Sequence, residues 1–339
     1  MSFEVRIAGS AIAFDCGADE SILDAAERAG FALPYSCRKG LCHSCEGSLV
    51  AGAVRVRSRQ VTGTADAVLM CQARPCGHVE IAPRRIERCA PPLRKTLTAT
   101  VFRVVRPAPD ISVLSLRFAN GVRAKFRAGQ YLQVLLADGD RRNFSLANPP
   151  HDNDGAELHI RHVPQGRFSA GILAGLAPGC RLVVELPFGE FFLRQAEAPA
   201  ILLATGTGFA PIKSMLEAAL RRGERRRMRL YWGGRTKSDL YMLDRVAKWQ
   251  DRAPWFSFVP ILSTPSPEWK GRTGLVHRAA LEDNPDMRNV ELYACGNPRM
   301  ISAARKEFSE AAGLPKACFY ADAFVASGRS ELAEGGSGT

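Results

Sequence analysis

Hydrophobic and polar positions divide the chain into three regions with different periodicities. Residues 1–85 begin with an alternating hairpin and carry a helical apolar face near residues 22–29, which predicts a small sheet packed on one helix. Residues 97–196 hold short alternating segments separated by turn residues, a pattern typical of an antiparallel barrel. Its expected strands are 98–105, 112–118, 130–136, 142–147, 157–163 and 181–186, with one short helix at 168–176.

Residues 197–328 change to short buried strands that alternate with amphipathic helices. This order predicts an α/β unit with a parallel sheet. The expected strands are 201–204, 228–232, 256–261 and 290–295, and the expected helices are 211–222, 239–250, 275–282 and 299–312. The chain is thus expected to be multidomain, combining α+β and α/β architecture.

Two connecting or terminal segments lack such periodicity. Residues 86–96 contain Pro91 and Pro92 among charged residues, which predicts a linker. Residues 329–339 are rich in glycine and are expected to form a flexible tail. The predicted boundaries are therefore 1–85, 86–96, 97–196, 197–328 and 329–339.

Composition and charge exclude several classes. The 339 residues are 46% hydrophobic and 24% charged, as in ordinary globular proteins, and no apolar run reaches the ~18 residues of a membrane span. The N-terminus lacks a signal-peptide pattern, so we expect a cytoplasmic protein without membrane contact. The net charge of +12 is not accompanied by a nucleic-acid-binding motif, which leaves a solvated surface, an acidic partner protein or a cofactor phosphate as its explanation.

Four cysteines carry the clearest chemical signal. Cys37, Cys42 and Cys45 follow the spacing C-x4-C-x2-C, and Cys71 lies 26 positions beyond Cys45. This is the ligand pattern of a plant-type [2Fe–2S] cluster. A structural zinc site is the alternative, although zinc usually takes two close cysteine pairs. Cys76 is a rival for the fourth ligand.

Residues on predicted barrel strands suit a flavin. Arg142 can pair with a diphosphate, Phe144 can lie against a ring system, and the Ser145 hydroxyl can bond a ring nitrogen. Backbone N–H groups at the start of the helix predicted after Gly166 can hold phosphate, but an ordinary strand explains either segment alone. The candidate flavin-site residues are Arg142, Asn143, Phe144, Ser145, His159, Arg161, Val163, Gly166, Phe168 and Ser169.

Two strand–loop–helix junctions in the last region suit a pyridine nucleotide. Thr205-Gly206-Thr207-Gly208 follows a predicted strand, and its glycines permit close approach of a diphosphate at a helix start. Arg235 and Lys237 can bind an adenosine 2′-phosphate, which slightly favours NADPH over NADH. The alternative is that both side chains are simply solvated at the surface. The candidate nucleotide-site residues are Gly206, Thr207, Gly208, Pro211, Arg235, Cys295, Gly296 and Pro298.

Taken together, these motifs resemble ferredoxin-NADP⁺-reductase-like oxidoreductases with an N-terminal plant-type ferredoxin domain. The resemblance extends over about residues 2–328 and includes the stretches 36–45, 148–151, 159–169, 207–214 and 319–324. It implies a β-grasp ferredoxin domain, a flavin barrel and a nucleotide domain. It also implies Cys37, Cys42, Cys45 and Cys71 as cluster ligands, and Ser145, Cys295 and Phe324 at the reacting rings.

Within this family the chain looks like the reductase components of aromatic-ring-hydroxylating dioxygenases. The resemblance implies electron transfer from NADPH or NADH through FAD and a [2Fe–2S] cluster to a Rieske-type oxygenase, with terephthalate-type aromatic-acid degradation as the expected setting. A reductase serving a deoxysugar-forming system is the first alternative. A non-catalytic zinc or scaffold protein is the second.

Overall fold

The computed structural model describes residues 1–88 and 94–325. The ferredoxin-like region contains a five-stranded sheet in the order β2-β1-β9-β4-β7, with one helix packed against it. Ser21 starts this helix, because its hydroxyl accepts the backbone N–H of Asp24 at 3.1 Å. The elements are β1 Ser2–Ile7, β2 Ala13–Gly17, α1 Ile22–Arg28, β3 Phe31–Ala32, β4 Glu46–Ala51, β5 Ala53–Val56, β6 Arg59–Thr62, β7 Ala65–Leu69, β8 Ala73–Pro75, β9 Val79–Pro83 and β10 Glu87–Arg88.

The middle region is a six-stranded antiparallel sheet in the order β14-β13-β16-β11-β12-β15. Its first and last strands contact each other, so the sheet curls into a barrel around one apolar core. All six predicted strands are present. They are β11 Lys95–Ala108, β12 Ile111–Arg117, β13 Tyr131–Leu135, β14 Arg141–Ser145, β15 Gly155–Arg161 and β16 Arg181–Phe188.

The last region is a six-stranded parallel sheet in the order β20-β19-β18-β17-β21-β22, and helices cover its faces. The strand order reverses between β17 and β21, which creates a crevice at their carboxyl ends. The elements are β17 Ala200–Thr205, α2 Phe209–Arg222, β18 Met228–Gly234, α3 Leu243–Gln250, β19 Phe256–Leu262, β20 Arg272–Thr273, α4 Val276–Asp283, β21 Glu291–Gly296, α5 Pro298–Ala312 and β22 Phe319–Ala323.

The fold class predicted from the sequence is confirmed, and two helices differ from the prediction. The helix expected at 168–176 is a π-helical turn, Arg167–Ile172, followed by a 3₁₀ turn, Leu173–Gly175, because its two glycines disfavour a regular helix. The helix expected at 239–250 begins only at Leu243, since the Asp239 carboxylate accepts two preceding backbone N–H groups and closes a separate turn.

The connecting segments are only partly described. β10 and the first residues of β11 lie inside the segment expected as a linker, while residues 89–93 and the expected tail 329–339 lie outside the described residues. The domain boundaries therefore stay predictions. Among the described helices, none has the length and apolar character needed to cross a bilayer. The cytoplasmic location also stays a prediction.

Helix α2 attaches the parallel sheet to the barrel. Lys213 on this helix is 2% exposed, and its Nζ donates to the carbonyl of Ala147 at 3.0 Å. The same ammonium pairs with Glu157 of β15 at 3.0 Å and with Glu217 at 2.8 Å. A buried cation with three oxygen partners is compensated, so it holds the two regions in one orientation.

Candidate cluster, flavin and nucleotide site

The four cysteines expected as cluster ligands lie together and are buried. Residues 36–45, called here the cluster loop, follow α1 and β3 in the chain and curve towards Cys71, which lies just after β7. Gly40 has φ +71°, and a Cβ there would lie 2.8 Å from Cγ of Gln72. The tight curl of the loop past this side chain therefore requires glycine.

The sulfurs form two pairs rather than one four-fold group. A hydrogen bond between Cys37 and Cys42 raises the pKa of the first thiol and lowers that of the second, and Cys45 and Cys71 are related in the same way. Across residues 1–88 and 94–325, no three His, Cys, Asp or Glu side chains are arranged around a single metal ion. Two sulfur pairs suit two irons, each bound by one pair.

The rival fourth cysteine is placed differently. Cys76 is exposed just after β8. Cys71 is 8% exposed, and its free thiol forms a hydrogen bond with the thiol of Cys45. The backbone N–H of Lys39 also donates to Cys37 Sγ at 3.3 Å. The geometry therefore supports Cys71, and a backbone donor is present to lower the charge density on a thiolate.

Beside the cluster loop lies a cavity of about 370 Å³. This volume is in the range of small-molecule sites, about 300–1,000 Å³. It is lined by every residue expected to contact flavin: Arg142, Asn143, Phe144, Ser145, His159, Arg161, Val163, Gly166, Phe168 and Ser169. The Phe144 and Phe168 rings lie 4.8 Å apart and provide an apolar wall.

Several of these side chains are already held by protein partners. His159 lies between Tyr241 Oη at 2.7 Å and Glu157 Oε1 at 2.9 Å, and burial lowers its pKa. The guanidinium of Arg161 pairs with Asp110 and Asp239. These contacts make the wall rigid, and they direct Arg161 towards the junction between barrel and parallel sheet.

The hydroxyl of Ser169, a candidate flavin contact, is hydrogen-bonded to the backbone of Val163. It accepts the backbone N–H of Val163 at 3.0 Å and donates to the carbonyl of the same residue at 3.3 Å. A Cβ on Gly166 would lie 2.6 Å from this hydroxyl, so the glycine makes room for the bond. Ser169 thus shapes the turn that borders the cavity.

The cavity is also lined by residues from all three regions. Cys37 and Lys39 of the cluster loop line it together with Tyr131 of the barrel and Asp322 and Phe324 of the last region. The Tyr131 hydroxyl is buried with no hydrogen-bond partner in the described chain, which suits a polar ligand atom at that point. Cys37, an expected cluster ligand, therefore borders the same cavity as the expected flavin-site residues.

The glycines expected to bind nucleotide lie at the crevice between β17 and β21. A Cβ on Gly208 would lie 2.3 Å from the carbonyl oxygen of Cys295, and one on Gly296 would lie 2.3 Å from Oγ1 of Thr205. The two loops approach this closely only because both positions lack a side chain. Helix α2 then begins at Phe209, so its N-terminus faces the crevice.

The remaining nucleotide candidates are spread around this crevice. Of the set expected from the sequence, only Thr207 also lines the flavin cavity; Gly206, Gly208, Pro211, Arg235, Cys295, Gly296 and Pro298 do not. Cys295 is wholly buried, and burial raises the pKa of its thiol. Arg235 is exposed after β18, as is Lys237. Both cations are therefore accessible to a ligand that extends along the sheet edge.

Three families of known sequences match successive parts of the chain. The 2Fe-2S iron-sulfur cluster binding domain matches residues 5–76, the oxidoreductase FAD-binding domain residues 100–193, and the oxidoreductase NAD-binding domain residues 202–306. Reductase component 1 of terephthalate 1,2-dioxygenase from a Comamonas species is 39% identical over 336 residues, which are 96% of this chain and 98% of that protein. The chain belongs to the family of iron–sulfur flavoprotein reductases.

Other members of the reductase family are similar over their full lengths. The CDP-6-deoxy-L-threo-D-glycero-4-hexulose-3-dehydrase reductase of Yersinia pseudotuberculosis is 36% identical, over 96% of this chain and 100% of that protein. The crystal structure of a cytochrome P450 reductase from Amycolatopsis superimposes with a TM-score of 0.76 at 33% identity, over 95% and 98% of the two chains. This reductase is therefore an oxidoreductase that uses a [2Fe–2S] cluster, FAD and a pyridine nucleotide.

Two polar residues of the reductase site escaped the sequence analysis. Asp322 is 5% exposed and lines the cavity, and burial together with Cys42 raises its pKa well above the usual range of a carboxyl. Tyr241 donates to or accepts from His159 across the junction between barrel and parallel sheet. No motif identifies either residue; only the unusual carboxyl in the apolar segment 319–324 is visible as a signal.

Proposed function

We propose that this reductase takes electrons from NADPH or NADH and delivers them, through FAD and the cluster, to a Rieske-type oxygenase of an aromatic-ring-hydroxylating dioxygenase. The observation that carries this proposal is the shared wall: Cys37 of the cluster loop and Phe324 of the last region line one cavity. The similarity to terephthalate 1,2-dioxygenase reductase supports an aromatic-acid dioxygenase as the setting, and a cytoplasmic location agrees with it.

The proposed roles divide the site into three parts. Cys37 and Cys42 bind one iron, and Cys45 and Cys71 bind the other. Arg142 neutralises the FAD diphosphate, while Phe144, Ser145 and Phe324 contact the flavin ring. FAD supplies hydride acceptance and the cluster supplies one-electron transfer, and the protein orients both groups and the nicotinamide.

The chain's own residues set the geometry of hydride transfer. The close packing of Gly208 against Cys295 leaves no side chain between the two loops, and the nicotinamide end of a nucleotide would be held at this crevice. Phe324 follows β22 and borders the flavin cavity, so its ring would contact a bound flavin. Ser145 is 7% exposed on β14 and lines the same cavity, where its hydroxyl would hydrogen-bond the flavin away from bulk water.

We assign the adenosine end of the nucleotide to the exposed pair Arg235 and Lys237. Each follows the carboxyl end of β18, a strand in the interior of the sheet, where a cation can contact a 2′-phosphate. The double variant R235A/K237A is expected to lower kcat/KM for NADPH by about tenfold, the effect of one charge-assisted contact of about 1.4 kcal/mol, with little change for NADH. Equal losses with both nucleotides would refute this assignment.

Reconstitution tests the proposed function directly. The purified reductase is mixed with NADPH or NADH and, in parallel, with a terephthalate-type dioxygenase oxygenase or with the dehydrase of a CDP-deoxysugar system. We expect product formation with the oxygenase only. Turnover with the dehydrase alone would instead identify the deoxysugar reductase, and a colourless protein without flavin or acid-labile sulfide would defeat the whole proposal.

The cations beside the cluster loop differ in their exposure to an acceptor protein. Arg38, which flanks the cluster in sequence, is bound by Asp24 and Glu27 and stacks on the Tyr35 ring at 4.3 Å. Lys39 and Arg57 are exposed instead, and Arg57 donates to the carbonyl of Lys39 at 3.4 Å. We therefore assign docking of an acidic acceptor to Lys39, Arg57 and the neighbouring Arg59.

Charge reversal tests this face. The variant R57E is expected to raise KM for the oxygenase about tenfold and to flatten the decline of the rate with increasing salt, because an exposed attractive charge becomes repulsive. The rate of ferricyanide reduction by NADPH or NADH should not change, since it does not need docking. The matched control is R103E, at an exposed position on barrel strand β11. A wild-type rate that is independent of ionic strength would contradict this assignment.

A further inference from the structure

The cluster loop is packed against the nucleotide-binding region as well as the flavin cavity. Cys37 and Cys42 belong to the same buried apolar cluster as Phe319 and Ala321 of β22. Ser44 Oγ donates to the carbonyl of Ala321 at 3.1 Å. One side of the loop is therefore shielded from water by β22 and the helix beside it.

The guanidinium of Arg305 lies in this shielded interface. Arg305 on α5 donates from Nη2 to the carbonyl of Cys42 at 2.6 Å, and its guanidinium carbon lies 4.3 Å from the Phe319 ring centroid. Its Nη1 is buried and has no hydrogen-bond partner in the described chain. Within the described part of the chain this nitrogen is a donor without an acceptor, beside the backbone of a cysteine expected to bind iron.

Among residues 1–88 and 94–325, no carboxylate forms an ion pair with Arg305. Glu46, an acidic residue that acts on Arg305 through its charge, is bound by Arg84 at 2.8 Å and by His43 at 2.8 Å. A guanidinium keeps its proton in proteins, so Arg305 brings a full positive charge to this interface. An uncompensated cation in an apolar interface acts strongly on any charge that develops close to it.

We propose that Arg305 sets the reduction potential of the [2Fe–2S] cluster by stabilising the extra negative charge of its reduced form. The proposal rests on the cluster ligation given above. Reduction adds one electron to a centre held by four thiolates, and net charge, hydrogen bonds and solvent exposure determine its potential. The guanidinium therefore favours electron transfer from flavin into the cluster. Arg305 lies on helix α5, which begins at the nucleotide crevice and extends to the cluster loop.

Substitution of Arg305 tests this role through the potential itself. In R305M and R305Q, we expect the equilibrium constant for one-electron transfer into the cluster to fall about tenfold, which is a midpoint potential lower by about 59 mV. R305K keeps the charge and should restore most of the potential. The measurement is a redox titration of the purified holoprotein followed by electron paramagnetic resonance of the reduced cluster.

A matched control variant distinguishes the effect of the Arg305 charge on the cluster potential from a general structural effect of changing α5. K306M removes a cation from the next, exposed position of α5 and should leave the potential unchanged. The rate at which NADPH or NADH reduces the flavin should also be unchanged in every variant. A wild-type potential in both R305M and R305Q, or loss of the cluster from both, would overturn the proposal. A wild-type protein with no cluster signal would defeat the proposed function instead.

Discussion

Replacing Cys71 with serine abolishes electron delivery to the oxygenase and leaves the oxidation of NADPH or NADH by ferricyanide intact. Cys71 is buried and its sulfur is paired with that of Cys45, so its loss removes one of two ligands from one iron. The flavin cavity does not include this side chain and should still bind FAD. The measurements are iron and acid-labile sulfide content, and turnover with each acceptor.

The chain provides its own control for this experiment. Cys76 lies five positions away, is exposed, and was the rival ligand by sequence. C76S should retain the full iron and sulfide content and the wild-type rate of oxygenase reduction. If C76S loses the cluster while C71S keeps it, the ligand assignment is wrong, although the family membership of the reductase is unaffected.

Adding one methyl group at Gly208 slows the reduction of flavin by NADPH or NADH by about 100-fold. The new Cβ would lie 2.3 Å from the oxygen and 2.6 Å from the carbon of the Cys295 carbonyl, and 2.7 Å from Cα of Gly296. These are backbone atoms of β21, so only a separation of the two loops relieves the overlap. A displacement of about 1 Å at a reacting centre costs about two orders of magnitude in rate.

Stopped-flow measurement of flavin absorbance under anaerobic conditions gives this rate directly. The control is G175A, because a Cβ at Gly175 meets no atom within 4 Å. G208A should still bind FAD and still accept electrons from dithionite into the cluster, since the loop after β17 contributes only Thr207 to the flavin cavity and none of the four cysteines. Flavin reduction at the wild-type rate in G208A would show that the crevice between β17 and β21 does not hold the nicotinamide.

The sequence predicted the regular elements best where the periodicity was long or regular. Helix α5 was expected at 299–312 and spans Pro298–Ala312, and all four parallel strands expected from the pattern are present. Strand β22 was missed, because a five-residue apolar segment has too few positions to show a period. The helix expected from 239 starts late because Asp239 binds backbone groups and Arg161, a contact that depends on the barrel.

The candidate site shows the same division. Spacing alone identified Cys37, Cys42 and Cys45, because a cluster loop is a local structure whose ligands lie close in sequence. Arg38 lies next to Cys37 in the sequence, yet α1 supplies Asp24 and Glu27 to bind it, and no local pattern predicts this contact. A charge next to a ligand in sequence thus need not face the acceptor.

The amino-acid sequence by itself determined the order of the three regions, the cluster spacing and the glycines of the nucleotide loops, because each depends on residues within one short segment. Only the tertiary structure decided how the regions share one cavity, that Asp322 lines it, and that Arg305 reaches Cys42 across 263 positions of the chain. Such contacts depend on the packing of separate domains, and no local pattern of hydrophobic and polar residues encodes which side chain fills an interface between them.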